Sequence, residues 1–375
     1  MREKTERLKR RIAISFKGYI YYTGINLLYR KFVLRNSPVV IYYHRIHKTR
    51  NPYNLVPSLS IDLELFDLHI RFLSKKCNII PLSDVVLYYK GVLKLPPRSV
   101  AITIDDGFKD NYDNAYPILK KYGAPATIFL TTNFIDTNML PWWDFAGYAA
   151  KKLEERSINN ILGQRRSAPE IVKEAFIAYK RGVISVEELV DKLKRVGDAK
   201  RRAILKALED SMEPELLQII PRQFLSWAEI KDMSLNKIGF GSHTCSHSIL
   251  TELTHEEVER EVSLSKGIIE KILGKEVDTL AYPDGMFDKK VIQVVRASGY
   301  TAAFQTSRLG VLQNEKMHSL PRKRIGKIQS TTFTGKFAGY SFDSELWGIL
   351  DRLFLRRARK RNPYSQEQRV SQAKI

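Results

Sequence analysis

The sequence predicts an α/β fold built from parallel strand–helix units, on three observations. Short β-rich runs recur along the chain, helical patterns lie between them, and one polar, helix-forming stretch interrupts the alternation. Strands that alternate with helices cannot be joined by tight hairpins and pair in parallel instead. At 375 residues the chain can bury one α/β barrel or two smaller domains.

The first apolar run is Val39-Val-Ile-Tyr-Tyr43, followed by Val100-Ala-Ile-Thr-Ile104 and Ala126-Thr-Ile-Phe-Leu130. Ile238-Gly-Phe-Gly241, Thr279-Leu-Ala281 and Tyr300-Thr-Ala-Ala-Phe304 continue the series. Leu63 to Ser74 reads as a helix from the spacing of Leu65, Phe66, His69, Phe72 and Leu73. Thr254 to Leu273 is clearer, because Thr254 and Glu257 form a capping box ahead of Val258, Val262, Ile268, Ile269 and Ile272. Residues 145–222, rich in Ala, Leu, Glu, Lys and Arg, read as a helical insertion. Three segments follow: a basic amphipathic segment over 1–37, a catalytic domain over 38–335 and a basic tail over 336–375.

Charge sits at the ends. Of the net +21, residues 1–35 contribute +8 and residues 351–375 contribute +6. A nucleic-acid binder is expected to carry its basic stripe across the folded domain, so no nucleic acid is expected as partner. A basic terminus suits an anionic membrane surface or a phosphate-bearing lipid. The longest uncharged N-terminal stretch, Gly18 to Tyr29, has 12 residues, short of the roughly 18–20 that span a bilayer. It lacks a small-x-small cleavage site, which leaves an expectation of cytoplasmic location, at the inner membrane surface if the helix binds lipid. The helix carrying Ile12, Phe16, Ile20, Leu27 and Leu28 suits either the membrane interface or the body of the protein. Cys77 and Cys245 are too few for a disulfide framework.

Chemistry-bearing residues gather where the β-runs end. Asp105-Asp106-Gly107 closes the second run; two adjacent acids diverge on a strand unless the chain turns, which Gly107 permits. A solvated turn would read the same. Gly241-Ser-His243-Thr-Cys-Ser-His247 follows the fourth run, on an expected loop opening into a helix. Two imidazoles and a carboxylate suit a catalytic divalent metal with open positions. Tyr282-Pro283-Asp284-Gly285 follows the fifth run, a turn able to aim a backbone N–H at an oxyanion. His44 ends the first run. In a closed α/β barrel all these positions open onto one face, where active sites sit.

These motifs resemble the polysaccharide deacetylase family, the NodB-homology or carbohydrate esterase 4 enzymes. Thr103-Ile104-Asp105-Asp106-Gly107 differs from the family's Thr-Phe-Asp-Asp-Gly by one residue, and His243-Thr-Cys-Ser-His247 matches its His-Ser/Thr-x-x-x-His motif. The resemblance spans about residues 38–330 and implies a distorted (β/α)7-type barrel. It implies Asp105 as general base, and Asp106, His243 and His247 as ligands of Zn2+, with Co2+, Ni2+ or Fe2+ as alternatives. The expected activity is removal of N-acetyl groups from an acylated amino-sugar glycan or a lipid-linked saccharide. Deformylation, O-deacetylation or a catalytically retired carbohydrate-binding barrel are the alternatives. Ala281 stands where the family often has an arginine that orients the base, so another group must hold Asp105. The family's Leu-x-His is replaced by Leu320-Pro321-Arg322, with His318 out of register. The chain is similar to exopolysaccharide deacetylases in which a Tyr-His near the N-terminus supplies the acid, and His44 matches it. Trp142, Trp143 and Asp144 recur in similar sequences and are expected to bind the sugar.

Overall fold

The structure, a computed structural model, describes residues 2–32, 34, 37–48, 51–164, 168–306 and 317–348. Seven parallel strands close on themselves. They are β1 (Val39–Tyr43), β2 (Ser99–Ile104), β3 (Ala126–Leu130), β4 (Ile238–Ser242), β5 (Thr279–Ala281), β6 (Ala302–Thr306) and β7 (Leu320–Arg324). Each pairs with the next, and β1 closes the ring by pairing with both β2 and β7. Closure removes the open sheet edges and puts helices over the outer face, and β1, β2 and β3 are buried at every position.

Six barrel strands coincide with apolar runs visible in the sequence. The seventh does not: β7 reads Leu-Pro-Arg-Lys-Arg, yet Pro321, Arg322 and Lys323 are all buried. Its two buried cations are tolerated because each has a carboxylate, Asp105 for Arg322 and Glu345 for Lys323.

The Thr254 capping box forms as expected. Thr254 Oγ accepts from the Glu257 amide, Glu257 accepts from the Thr254 amide, and the helix runs His255–Leu273. Helices Trp142–Lys152, Glu155–Gln164, Glu170–Lys180, Val186–Lys194, Asp198–Glu209 and Pro214–Gln218 occupy the stretch between β3 and β4. They enclose a core of their own around Phe145, Ile158, Phe176, Leu189, Leu193 and Leu208. A second apolar cluster, including Phe108, Phe134, Trp143, Val186, Val190 and Phe224, seats these helices on the barrel mouth. The supposed tail does not begin at 336. Residues Gly339–Leu346 form a helix with Phe342, Leu346 and Trp347 buried, because Phe342 packs on Phe72 and His69. The basic residues 351–375 lie outside the described residues.

α1 (Arg2–Tyr22) and α2 (Ile25–Phe32) lie against this C-terminal helix, anchored by Ile14, Lys17, Ile20 and Asn26. The packing alternative for the N-terminal helix therefore holds for one of its faces.

Candidate active site

Every residue singled out at a strand end lies at the same, C-terminal end of the barrel, because parallel strands all finish there. A cleft of about 270 Å³ opens at that end, lined among others by His44, Asp105, Asp106, His243, His247 and Asp284.

Adjacent acids are made to diverge by the backbone. Asp105 leaves β2 with its amide still donating to the Tyr43 carbonyl at 2.9 Å. Asp106 and Gly107 then adopt φ of 74° and 77°. A Cβ on Gly107 would meet Leu130 at 2.9 Å, so glycine is required by space as well as by angle. A left-handed aspartate is strained, and such strain persists where surroundings enforce it.

His243 and His247 lie on a loop, as expected, but that loop does not open directly into an α-helix. Thr244 and His247 have φ of 69° and 58°, and the next α-helix starts only at His255. The fold of the loop instead comes from Glu261, whose carboxylate accepts from the Cys245 and Ser246 amides at 2.9 and 2.8 Å and from the Ser246 hydroxyl at 2.6 Å. His243 Nδ1–H donates to the Ala281 carbonyl at 2.7 Å, which leaves Nε2 as a lone-pair donor. The Trp143 ring meets the His247 ring edge-on at 4.5 Å between centroids.

Asp106 Oδ1 is 3.4 Å from both His243 Nε2 and His247 Nε2. The three groups bring one donor atom each within 4.8 Å of the others. Burial first, and then the neighbouring Asp105 charge, push the Asp106 carboxyl well above its ordinary value. Burial lowers both histidines, so they present neutral nitrogens. Both Asp106 oxygens are buried with no hydrogen-bond partner among the described residues. The set fits a divalent cation: both Asp106–imidazole separations match the roughly 3.4 Å between donors about 2.0–2.2 Å from one tetrahedral ion, and a cation would keep the buried carboxylate ionised.

Asp105 lies beside this cluster in a different environment. Arg322 Nη1 and Nη2 donate to its two oxygens at 2.6 and 2.8 Å, and Nη1 also donates to Thr103 Oγ1 at 3.1 Å. Burial works to raise the Asp105 carboxyl, but the Arg322 charge and hydrogen bonds outweigh it and hold the group down at about 2. Arg322 is thus the group that holds Asp105, supplied from β7 where β5 has Ala281. The signal for it lies in Leu320-Pro321-Arg322, far from the segment before Tyr282 where the family often has its arginine.

His44 lines the cleft, partly exposed. Burial lowers it to about 3, against the opposing pull of Asp105. His318 is elsewhere: it is buried, with Nε2 at 2.9 Å from the Tyr300 carbonyl. Tyr282 is fully buried and donates its hydroxyl to the His318 carbonyl at 2.9 Å. In the Tyr282-Pro283-Asp284-Gly285 turn the amides of Tyr282 and Gly285 are spent on Phe304 and Tyr282 carbonyls, and Pro283 has none. The Asp284 N–H donates to no acceptor among the described residues. The Asp284 carboxylate pairs with Lys194 at 2.8 Å, tying the Val186–Lys194 helix to this turn.

Trp142 and Trp143 reach the cleft, and Asp144 does not. Asp144 is fully buried behind them, accepting from Arg45 at 2.7 Å and from the Leu55 and Val56 amides at 2.8 and 3.2 Å. Those bonds use its oxygens to fix the 55–56 loop, so it has none to offer a sugar.

A parallel barrel with an Asp-His-His cluster that could hold a cation, and an ionised carboxylate beside it, is an arrangement suited to hydrolysis. The comparisons agree on the family. The Polysaccharide deacetylase family model matches residues 93–303, and the chain belongs to that family, the NodB-homology or carbohydrate esterase 4 enzymes. It is 25% identical over 297 residues to a poly-beta-1,6-N-acetyl-D-glucosamine N-deacetylase of Staphylococcus aureus, covering 76% of this chain and 78% of that one. In fold it is similar to IcaB from Ammonifex degensii, with a TM-score of 0.50 and 15% identity over 83% of this chain and 97% of the other. It is also similar to the deacetylase PplD of Streptococcus pyogenes, with a TM-score of 0.50 and 19% identity over 76% and 91%.

Proposed function

We propose that the chain removes N-acetyl groups from N-acetylhexosamine units of a polysaccharide or its lipid-linked precursor. The observation that carries this reading is the contrast between neighbouring carboxylates. Asp106 is buried, bare and faced by two neutral imidazoles, while Asp105 is kept ionised and unligated by Arg322. One is suited to hold a cation and the other to take a proton. The Staphylococcus aureus relative, an N-deacetylase of a β-1,6-linked N-acetylglucosamine polymer, supports the choice of acyl group and sugar. A cleft of about 270 Å³ with Trp142 and Trp143 in its wall suits one sugar residue and its acyl group. It falls just below the roughly 300–1,000 Å³ of sites for drug-sized ligands.

Asp106, His243 and His247 would hold the ion, Zn2+ being the best match to two imidazoles and one carboxylate. A bound ion there would supply Lewis acidity toward water and the acyl carbonyl. Asp105 accepts the water's proton as its oxygen adds to the acyl carbon, with Arg322 keeping the carboxylate aimed. The Asp284 N–H supplies a donor for the oxygen that gains charge. His44 is neutral at rest, so it acts as acid only after receiving the proton taken by Asp105. It then passes that proton to the leaving nitrogen, and acetate and a free amino sugar result.

Asp105→Asn removes the base and leaves the cation ligands in place. Turnover should fall about 10²–10⁴-fold while the purified variant keeps a full complement of metal by elemental analysis. The assay is acetate release from N-acetylglucosamine oligosaccharides and lipid-linked sugars. Acetate release by the variant at the wild-type rate would falsify the role of Asp105.

A further inference from the structure

A second organised surface lies away from the cation ligands. Lys17 of α1 pairs with Glu345 at 2.9 Å, and Asn26 of α2 donates to Asp343 at 3.1 Å. These contacts use one side of the helical pair. On the other side Ile12, Phe16 and Tyr19, spaced i, i+4, i+7, form a stripe that is 61%, 38% and 61% exposed. Ile25, Leu28 and Phe32 repeat the pattern on α2 at 38%, 57% and 67%. Among the described residues, eight of the eighteen exposed large apolar side chains fall between Ile12 and Phe32, so the exposure is concentrated and not scattered.

The face also recruits a distant part of the chain. Ile328 and Phe333 are exposed, and the Arg11 guanidinium lies over the Phe333 ring at 4.8 Å. Ile328 stands four residues past Arg324, which lines the cleft. The apolar face therefore extends towards the rim of the active site.

What would cover this face is decided by charge. Residues 1–35 carry ten Lys/Arg against two Glu, and with Lys17 spent on Glu345 the segment still keeps a clear positive excess. A second copy docked through the same face would set two such segments together, and like charges across an interface are unfavourable. An anionic surface complements them. Tyrosine and phenylalanine beside lysine and arginine are the residues that settle at headgroup depth, and no described helix is long and apolar enough to cross a membrane. We propose that α1 and α2, with Ile328 and Phe333, dock the enzyme onto an anionic lipid bilayer. The helices lie in the plane of the interface, and the cleft rim is held near the headgroups.

Flotation of the full chain with phosphatidylcholine vesicles, and with equal parts phosphatidylcholine and phosphatidylglycerol, tests this without any substrate. Partition onto the anionic vesicles should be at least about tenfold stronger than onto neutral ones and should weaken as salt is raised. The triple variant Phe16→Glu, Leu28→Glu, Phe32→Glu should lose about tenfold or more with its melting temperature unchanged. A second variant, Ile328→Glu with Phe333→Glu, should lose binding in the same direction and guards against misfolding of α1. No flotation of the wild type, or equal flotation of both variants, overturns the proposal. A lipid-free dimer that the triple variant dissociates to monomer also overturns it, in favour of a second copy.

Discussion

At Asp105 burial and an arginine pull in opposite directions, and the arginine wins. Two charge-assisted bonds from Arg322, at 2.6 and 2.8 Å, fix both carboxylate oxygens, and the group titrates at about 2. A base with a depressed value is ionised at all pH above it, so Asp105 does not limit activity on the acid side near neutrality. Removing the guanidinium takes away the largest opposing pull and leaves burial against only the weaker pulls of His243 and His44, so the carboxyl rises. Arg322→Gln should therefore move the acid limb of the kcat/KM profile upward, with activity lost as pH falls through the new, higher value. At pH 7 a drop of about 10²-fold is expected from lost orientation. A uniform loss with an unmoved acid limb would show that Arg322 merely supports the fold. Asp106 was legible as a partner of the histidines through the family resemblance, which rests on two patterns that are each local, Asp-Asp-Gly and His-x-x-x-His. The grip on Asp105 was not, because it joins residues 217 positions apart.

Among the elements, β7 marks where pattern reading stops. A strand is recognised by apolar alternation or by an apolar run, and Leu-Pro-Arg-Lys-Arg offers neither. Its burial depends on Asp105 and Glu345, partners that only the closed barrel brings near. The other six strands were legible because their burial rests mainly on apolar side chains. The histidine loop gives the same lesson: its place after a strand predicts a loop opening into a helix, but the left-handed path of that loop is set by Glu261 on the His255–Leu273 helix. Glu261 touches no ligand atom of the cluster and acts through the backbone of Cys245 and Ser246. Glu261→Ala should weaken cation affinity about 10–100-fold, read by competition with a chelator. Glu261→Gln, which keeps an acceptor oxygen, should recover part of it. Equal affinities in wild type and Glu261→Ala would assign the loop's shape to other contacts, such as that between Thr244 and the His247 amide.

For the whole molecule, the cation site is a closing contact between distant strands. Asp106 follows β2 while His243 and His247 follow β4, with β3 between them. Without a cation this junction holds a buried carboxyl with two unpartnered oxygens beside two desolvated imidazoles. An ion bound there binds the folded chain and has no such site in the unfolded one, so it must stabilise the fold by mass action. At a free concentration one hundred times Kd the gain is about 2.7 kcal/mol. For a chain this large that is a rise of only a few degrees in melting temperature. Adding Zn2+ to chelator-stripped protein should produce this rise, and Asp106→Asn should melt at the same temperature with and without the ion. The apo variant should also melt no lower than apo wild type, since asparagine removes a carboxyl whose ionised form burial and Asp105 both disfavour. A zinc-dependent rise of the same size in Asp106→Asn would place the stabilising cation elsewhere in the molecule. That result would separate the stability of the barrel from the chemistry at its mouth.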